Sequence, residues 1–217
     1  MNEEQKLRLD LLVACGYNVD AANKCLDFVL DEENKREQRK IKLLEGVYLI
    51  NEYEELVPFD GKEKVGIGIV THIGIIQGNR SLAIALHDVS EKEITLTAKE
   101  SKKDHGGYKD NYMDAVQDWD GKGNTERLKQ IGLNHAIQLK DGEYIPALAE
   151  LYLMCLNQKA INAAMHFVGG QELKGWYWSS TEYSATYTWH SNLDDGCAYY
   201  NTKATSTNRV RPVKKLL

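Results

Sequence analysis

The residues that could support catalysis, metal binding or ligand binding are six histidines, four cysteines and a polar-aromatic stretch near the C-terminus. The histidines show no pairing at i+2 or i+4, and the cysteines form no C-x-x-C pair, so the spacing predicts neither a zinc site nor a catalytic histidine pair. The Gly66-Ile67-Gly68 segment lacks the third glycine and the following helix that a dinucleotide-binding loop requires. Asp194-Asp195-Gly196 fits a turn better than a calcium loop. We therefore expect no catalytic residue, no metal ligand and no cofactor.

The stretch from Tyr183 to Asn208 differs in composition from the remainder of the chain. Only Asp194, Asp195 and Lys203 are charged in it, against 27% charged residues in the whole protein. Tyr, Trp, Ser, Thr and Asn dominate, and these residue types provide rigid contact area and adaptable hydrogen bonds in binding surfaces. The composition predicts a ligand-binding surface. We expect four side chains of the stretch to be exposed: Tyr187, His190, Tyr199 and Tyr200.

Three of the four tryptophans, Trp176, Trp178 and Trp189, lie close together in this part of the sequence. Large aromatic side chains dominate small cores, so we expect these three to be core residues. The alternative, that they belong to the binding surface, stays open at this point.

Charge and hydropathy exclude several classes of partner. The net charge of −5 argues against a nucleic-acid partner, because phosphate binding needs a basic face. No apolar run approaches the ~20 residues of a membrane helix, so we expect no membrane insertion. The N-terminus has no secretory signal pattern, which favours a cytoplasmic or virion-associated protein with free thiols.

Residues 1–45 are predicted to form a small helical segment, distinct from the rest. Leu7, Leu11 and Leu12 suit one short helix, and Asn18 or Asp20 can cap a second. Residues 31–40 are charged on all sides, which is typical of a solvent-exposed connector. We expect this hairpin and connector to dock the domain onto a partner or to form a homo-oligomer.

From Gly46 onward the periodicity changes, and the order of elements predicts an α+β domain over residues 46–217. Period-2 patterns predict strands at 47–50, 65–70, 73–76 and 81–87. Helices are predicted at 111–119, 125–139, 147–156 and 161–167, with a turn at 120–124 and a closing Gly169-Gly170. Only short β-like segments follow, up to Val213.

Two C-terminal segments carry a family resemblance. Residues 175–183 read G-W-Y-W-S-S-T-E-Y, and residues 208–213 read N-R-V-R-P-V. Segments 46–50, 118–125, 144–152 and 161–164 fit the same framework. By these motifs the chain resembles the variable proteins of diversity-generating retroelements, which, like phage tropism determinants, have a C-type lectin fold of the formylglycine-generating-enzyme type. The resemblance covers about residues 46–217. It implies framework roles for Trp176, Trp178, Ser179, Ser180, Glu182, Trp189, Leu193, Gly196, Lys203, Arg209 and Arg211.

In such systems template adenines are randomised, and Asn codons are typical targets. Randomising the first two bases of an Asn codon reaches every residue from His190 to Thr207 except Lys203. The resemblance and this codon pattern together predict a variable, ligand-binding surface, composed of Tyr187, His190, Ser191, Asn192, Asp194, Asp195, Cys197, Ala198, Tyr199, Tyr200, Asn201, Thr202, Ala204, Thr205 and Ser206.

The function implied by the resemblance is non-catalytic binding of a protein or surface receptor. The chain lacks the Glu-Pro-Asn and Gln-Pro-Asp triplets of calcium-dependent lectins, and Cys197 has no cysteine neighbour of the kind that the formylglycine-generating enzyme uses. Two alternatives stay open. One is an invariable lectin-like adhesin or structural domain with one fixed partner, and the other is an enzyme on this fold whose activity would depend on His190.

Overall fold

The computed structural model describes most of the chain beyond residue 44 and a few positions before it: residues 6, 9–10, 13, 18–21, 23–24, 45–62, 66–100 and 105–216. The chain divides into two compact units, residues 1–45 and residues 46–217.

The described residues of the first unit are mostly helical. Helical backbone is present at Lys6, at 9–10, at Val13, at 19–21 and at 23–24. Of the two predicted caps, Asn18 is used, because its Oδ1 accepts the backbone N–H of Ala21 at 2.8 Å. The predicted apolar positions Leu7, Leu11 and Leu12 and the charged connector 31–40 lie outside the described residues.

The second unit contains an antiparallel five-stranded sheet. Its strands are β1 (Gly46–Asn51), β2 (Leu56–Pro58), β3 (Val70–Gln77), β4 (Arg80–Ala85) and β8 (Val213–Lys214), in the order β2-β1-β3-β4-β8. The predicted strand at 65–70 is wrong for residues 66–69, which form no strand. Gly66 and Gly68 have φ angles of 79° and 77°, in the left-handed region that favours glycine. This backbone conformation is incompatible with a β-strand.

Four helices follow β4: α1 (Tyr112–Ala115), α2 (Gly121–Ile131), α3 (Leu148–Leu156) and α4 (Gln158–Val168). Helix α2 begins where a turn is predicted, because Asp120 Oδ1 accepts the Gly123 N–H at 3.0 Å and caps it. It ends before the predicted Leu139, because Gly132 has a φ of 107°. Helix α4 ends at Gly169 as predicted.

A second antiparallel sheet contains β5 (Trp176–Glu182), β6 (Tyr187–Asn192) and β7 (Ala198–Thr202), in that order. Helix α3 packs against β5 and β6, and α4 packs against β1 and β3. Leu148, Leu151 and Met154 of α3 are fully buried in the core between these elements. This arrangement confirms the predicted α+β class. Every helix within the described residues is too short or too polar for a membrane span.

Candidate functional site

Two tryptophans join the three-stranded sheet to the rest of its unit. The indole N–H of Trp178 donates to the Ile94 carbonyl at 2.8 Å, and that of Trp189 donates to the Lys109 carbonyl at 2.7 Å. Both side chains are buried, and their polar N–H groups are satisfied. Trp176, predicted as a core residue with them, is only half-buried. The first two therefore fix the sheet, whereas Trp176 lies at the edge of the core.

A buried charged group holds the end of β7. Lys203 Nζ donates to Glu182 Oε1 at 2.5 Å and to the Ser184 carbonyl at 3.2 Å. Glu182 Oε2 lies 2.6 Å from His105 Nε2. The Lys203 and Glu182 side chains are only 2% and 4% exposed. A buried charge is costly without its partner, so Lys203 is poorly replaceable although it lies within the polar stretch.

The C-terminal arginines converge on one carboxylate that the sequence alone does not indicate. Arg211 is fully buried, and its Nε donates to Asp88 Oδ1 at 2.7 Å. Its terminal nitrogens donate to the Ala85 and Gln171 carbonyls at 2.9 and 3.0 Å. Arg209 is more exposed and lies 3.4 Å from Asp88 Oδ2. Both residues thus connect the C-terminus to the segment after β4.

The remaining framework residues lie in the interior or at a turn. Ser179 and Ser180 are fully buried. Ser179 Oγ accepts the Thr181 N–H at 2.8 Å, and Ser180 Oγ donates to the Gly121 carbonyl at 3.4 Å. Gly196 has a φ of 76° in the loop between β6 and β7, a conformation that L side chains rarely adopt.

An aromatic patch of Tyr183, Tyr187 and Tyr200 is exposed on one face of the three-stranded sheet. Tyr187 and Tyr200 are 38% and 47% exposed, and Tyr199, on the opposite face, is 61% exposed. The Tyr200 ring stacks on that of Tyr183 with centroids 3.9 Å apart, and Tyr187 meets Tyr200 edge-to-face at 5.8 Å. Tyr183 belongs to the motif at residues 175–183 and is not in the predicted variable surface, and its contact with Tyr200 depends on the fold. These packed rings give a rigid aromatic surface.

Most polar members of the predicted surface are exposed or half-buried. Asp194, Asp195, Cys197 and Thr205 are exposed. In the loop that joins β6 to β7, the Asn192 side chain hydrogen-bonds to the loop backbone, because its Oδ1 accepts the Asp194 N–H at 2.9 Å. Six members are half-buried: Asn192, Ala198, Asn201, Thr202, Ala204 and Ser206.

Two predicted surface residues, His190 and Ser191, are buried, with 7% and 0% exposure. The prediction of their exposure is wrong, because β6 is the central strand and is covered on both faces. The His190 ring lies 4.7 Å from the Trp176 ring and 5.6 Å from the Trp178 ring. Burial lowers the pKa of His190, which favours the neutral imidazole. Ser191 Oγ donates to the Cys197 carbonyl at 3.2 Å.

The predicted surface divides between the two faces of the sheet. Tyr199 pairs with His190 and Tyr200 pairs with Trp189 across the β6–β7 ladder. Because neighbouring residues of a strand point to opposite faces, Tyr199 and Tyr200 project in opposite directions. Strand β7 is the edge of its sheet. One ligand can therefore reach both faces only by contacting this edge.

Among the described residues, no cluster of three or more His, Cys, Asp or Glu side chains is arranged to hold a metal ion. The pKa of the exposed Cys197 thiol is raised, because its side chain hydrogen-bonds to the Asp195 carboxylate and lies in its negative field. A raised pKa disfavours the nucleophilic thiolate.

No protein-family model matches the chain, and a comparison with curated proteins finds no match.

Proposed function

We propose that this protein is a non-catalytic binding protein that presents a changeable surface on a C-type lectin-like scaffold, as the target protein of a diversity-generating retroelement. Its partner is a protein or a surface receptor. Residues 1–45, which the sequence predicts to be a helical segment, mount the domain or assemble a homo-oligomer. The C-terminal motifs G-W-Y-W-S-S-T-E-Y and N-R-V-R-P-V support the scaffold assignment by resemblance.

One observation carries the proposal: fixed and exposed residues alternate within a single short stretch. Lys203 is buried and ion-paired, and Trp189 is buried and hydrogen-bonded, whereas Tyr199 and Tyr200 are exposed on an edge strand. Exposed substitutions usually change stability by under ~0.5 kcal/mol, so such positions can vary without unfolding the scaffold. Lys203, which Asn-codon randomisation cannot produce, is also the charged residue of this stretch that the core requires.

A second candidate is an invariable lectin-like domain with one fixed partner. The stacking of Tyr200 on Tyr183 favours it, because a preorganised aromatic pair suits a constant ligand. The burial of His190 and Ser191 also limits the side chains that these two positions accept.

The DNA flanking the gene distinguishes the two candidates. We expect a reverse-transcriptase gene and an imperfect copy of the 3′ coding end that differs at template adenines. The differences should fall in codons for exposed residues such as Tyr199 and Tyr200, and Lys203 should be the same in independent isolates. The absence of both features, with identical C-terminal sequences in independent isolates, would establish the fixed-partner candidate instead.

A further inference from the structure

An apolar cleft of about 430 Å³ lies beside the aromatic patch, in the unit formed by residues 46–217. Its volume is within the ~300–1,000 Å³ range of small-ligand sites. Its walls come from α1, the segment after it, and α3. The apolar lining consists of Tyr112, Val116, Trp119, Tyr152, Leu153 and Leu156.

One end of this cleft is cationic. The Arg80 guanidinium stacks over the Trp119 ring with its carbon 4.1 Å from the ring centroid. Lys215 lines the adjoining smaller cleft together with Arg80. Stacking occupies the flat face of a guanidinium and leaves its N–H edge available. Within the part of the chain that the structure describes, no carboxylate is ion-paired with Arg80.

Glu150 also lines the smaller cleft but forms no ion pair with Arg80. Its two oxygens accept the Tyr144 hydroxyl and the Ala147 N–H, each at 2.8 Å. The cationic end is therefore open to a carboxylate from outside, although the protein as a whole has a net charge of −5.

Ring contacts connect the wall of the cleft to the aromatic patch. The Tyr112 and Tyr152 hydroxyls are 2.9 Å apart at its wall. The Tyr112 ring contacts Trp189 edge-to-face at 6.2 Å, and Trp189 in turn contacts Tyr200 at 5.6 Å. A ligand on the Tyr200 face of the sheet can therefore place a neighbouring group in the cleft.

We propose that this cleft is a constant subsite of the ligand-binding surface, and that it takes an aromatic or leucine side chain of a protein ligand whose neighbouring carboxylate pairs with Arg80. The inference rests on the proposed binding function and specifies its partner. Apolar walls receive the side chain, and the exposed Leu156, at 76% exposure, provides an unburied edge that a ligand would cover. Charge complementarity at Arg80 selects an acidic segment over a basic one.

The test uses the full chain and two matched probes, N-acetyl-phenylalanine, which has a carboxylate, and N-acetyl-phenylalaninamide, which does not. The Trp119 indole N–H resonance is followed by NMR. We expect both probes to shift it, with the carboxylate binding about twofold to fivefold more tightly, as for a solvent-exposed ion pair. Arg80→Gln should abolish that preference, and Leu156→Ser should weaken both probes. Lys159→Gln, which removes a cation outside the cleft, should change neither.

Either of two binding results overturns the proposal: no shift of the Trp119 resonance in the full chain, or equal binding of the two probes to the wild-type protein. A dimer that Leu156→Ser converts to a monomer would also overturn it, because the cleft would then be an interface between copies. The Tyr200→Ser variant separates this proposal from the proposed function. It removes a ring of the aromatic patch and should bind both probes as the wild-type protein does, so probe binding reports on the cleft alone.

Discussion

The ammonium group of Lys203 lies 2.5 Å from a carboxylate oxygen of Glu182, and both side chains are almost completely buried. This ion pair joins the end of β7 to the end of β5. The residues immediately before Lys203 are exposed or half-buried. A fixed ion pair thus stands directly beside the positions that the proposed function requires to change.

Replacement of Lys203 should destabilise the fold strongly. Lys203→Met leaves Glu182 buried with His105 as its remaining partner, and we expect a loss of about 3–5 kcal/mol in the free energy of unfolding. Urea unfolding measures it, with the exposed Lys159→Met as the control. The double variant Lys203→Met/Glu182→Gln should recover part of the loss. A single variant as stable as the control would contradict the role of this pair.

The two C-terminal arginines should differ in importance, although both contact Asp88. Arg211→Lys keeps the charge but cannot reach Asp88, Ala85 and Gln171 together, so we expect a loss of about 2 kcal/mol or more. Arg209→Lys, at a partly exposed ion pair, should cost under about 1 kcal/mol. The comparison requires thermal or urea unfolding of both variants. Equal losses would mean that burial does not distinguish the two sites.

Exposed and buried tyrosines of the same sheet should respond differently to the same substitution. Tyr199→Ser removes a ring that is mostly in solvent, and we expect the free energy of unfolding to fall by less than about 1 kcal/mol. Tyr177→Ser removes a fully buried ring and should cost about 3–5 kcal/mol. The pair is measured by urea unfolding under one set of conditions. A large loss for Tyr199→Ser would count against a changeable surface.

Glu150 should make the stability of the protein depend on pH. Burial raises the pKa of this carboxyl from 4.5 to about 7. The folded state then holds the proton where the unfolded state has lost it, so the contribution of Glu150 to stability falls as pH rises from about 4.5 to 7 and is constant above. Glu150→Gln should remove this decline, which amounts to about 3 kcal/mol.

Urea unfolding of the wild type and Glu150→Gln across this pH range tests the prediction, because a difference between the two cancels the other titrating groups. The exposed Glu172→Gln serves as the matched control and should follow the wild-type profile. Parallel profiles for the wild type and Glu150→Gln would show that the Glu150 carboxyl titrates normally in the folded protein.

Local sequence patterns predict some elements of the fold and fail where a distant partner decides the outcome. Glycine and cap signals place the end of α4 at Gly169, and period-2 alternation places β1 and β4 to within one or two residues. The same alternation fails at residues 66–69, where two glycines have positive φ angles. The start of α2 is missed because Asp120 caps a glycine-rich segment whose composition is typical of a turn.

In the candidate site, too, the sequence predicts local features and misses those that depend on distant segments. The composition of the stretch indicates exposed tyrosines, and Tyr187, Tyr199 and Tyr200 are exposed. His190 has the same polar neighbours but lies on the central strand, and strand order depends on pairing between distant segments. Asp88 carries no local signal at all, because its partner Arg211 is far away in the sequence. Burial of a polar residue thus follows from topology, which composition does not encode.

The central claim is that the exposed positions around β7 can acquire new partners while the scaffold stays folded. A display library randomised at Tyr187, Tyr199, Tyr200 and Thr205, and selected against lysozyme as an unrelated target, tests it most directly. We predict binders whose Tm is within about 5 °C of the parent protein, with Lys203 and Trp189 unchanged. A library that yields only unfolded clones, or folded clones without any binder, would contradict the claim.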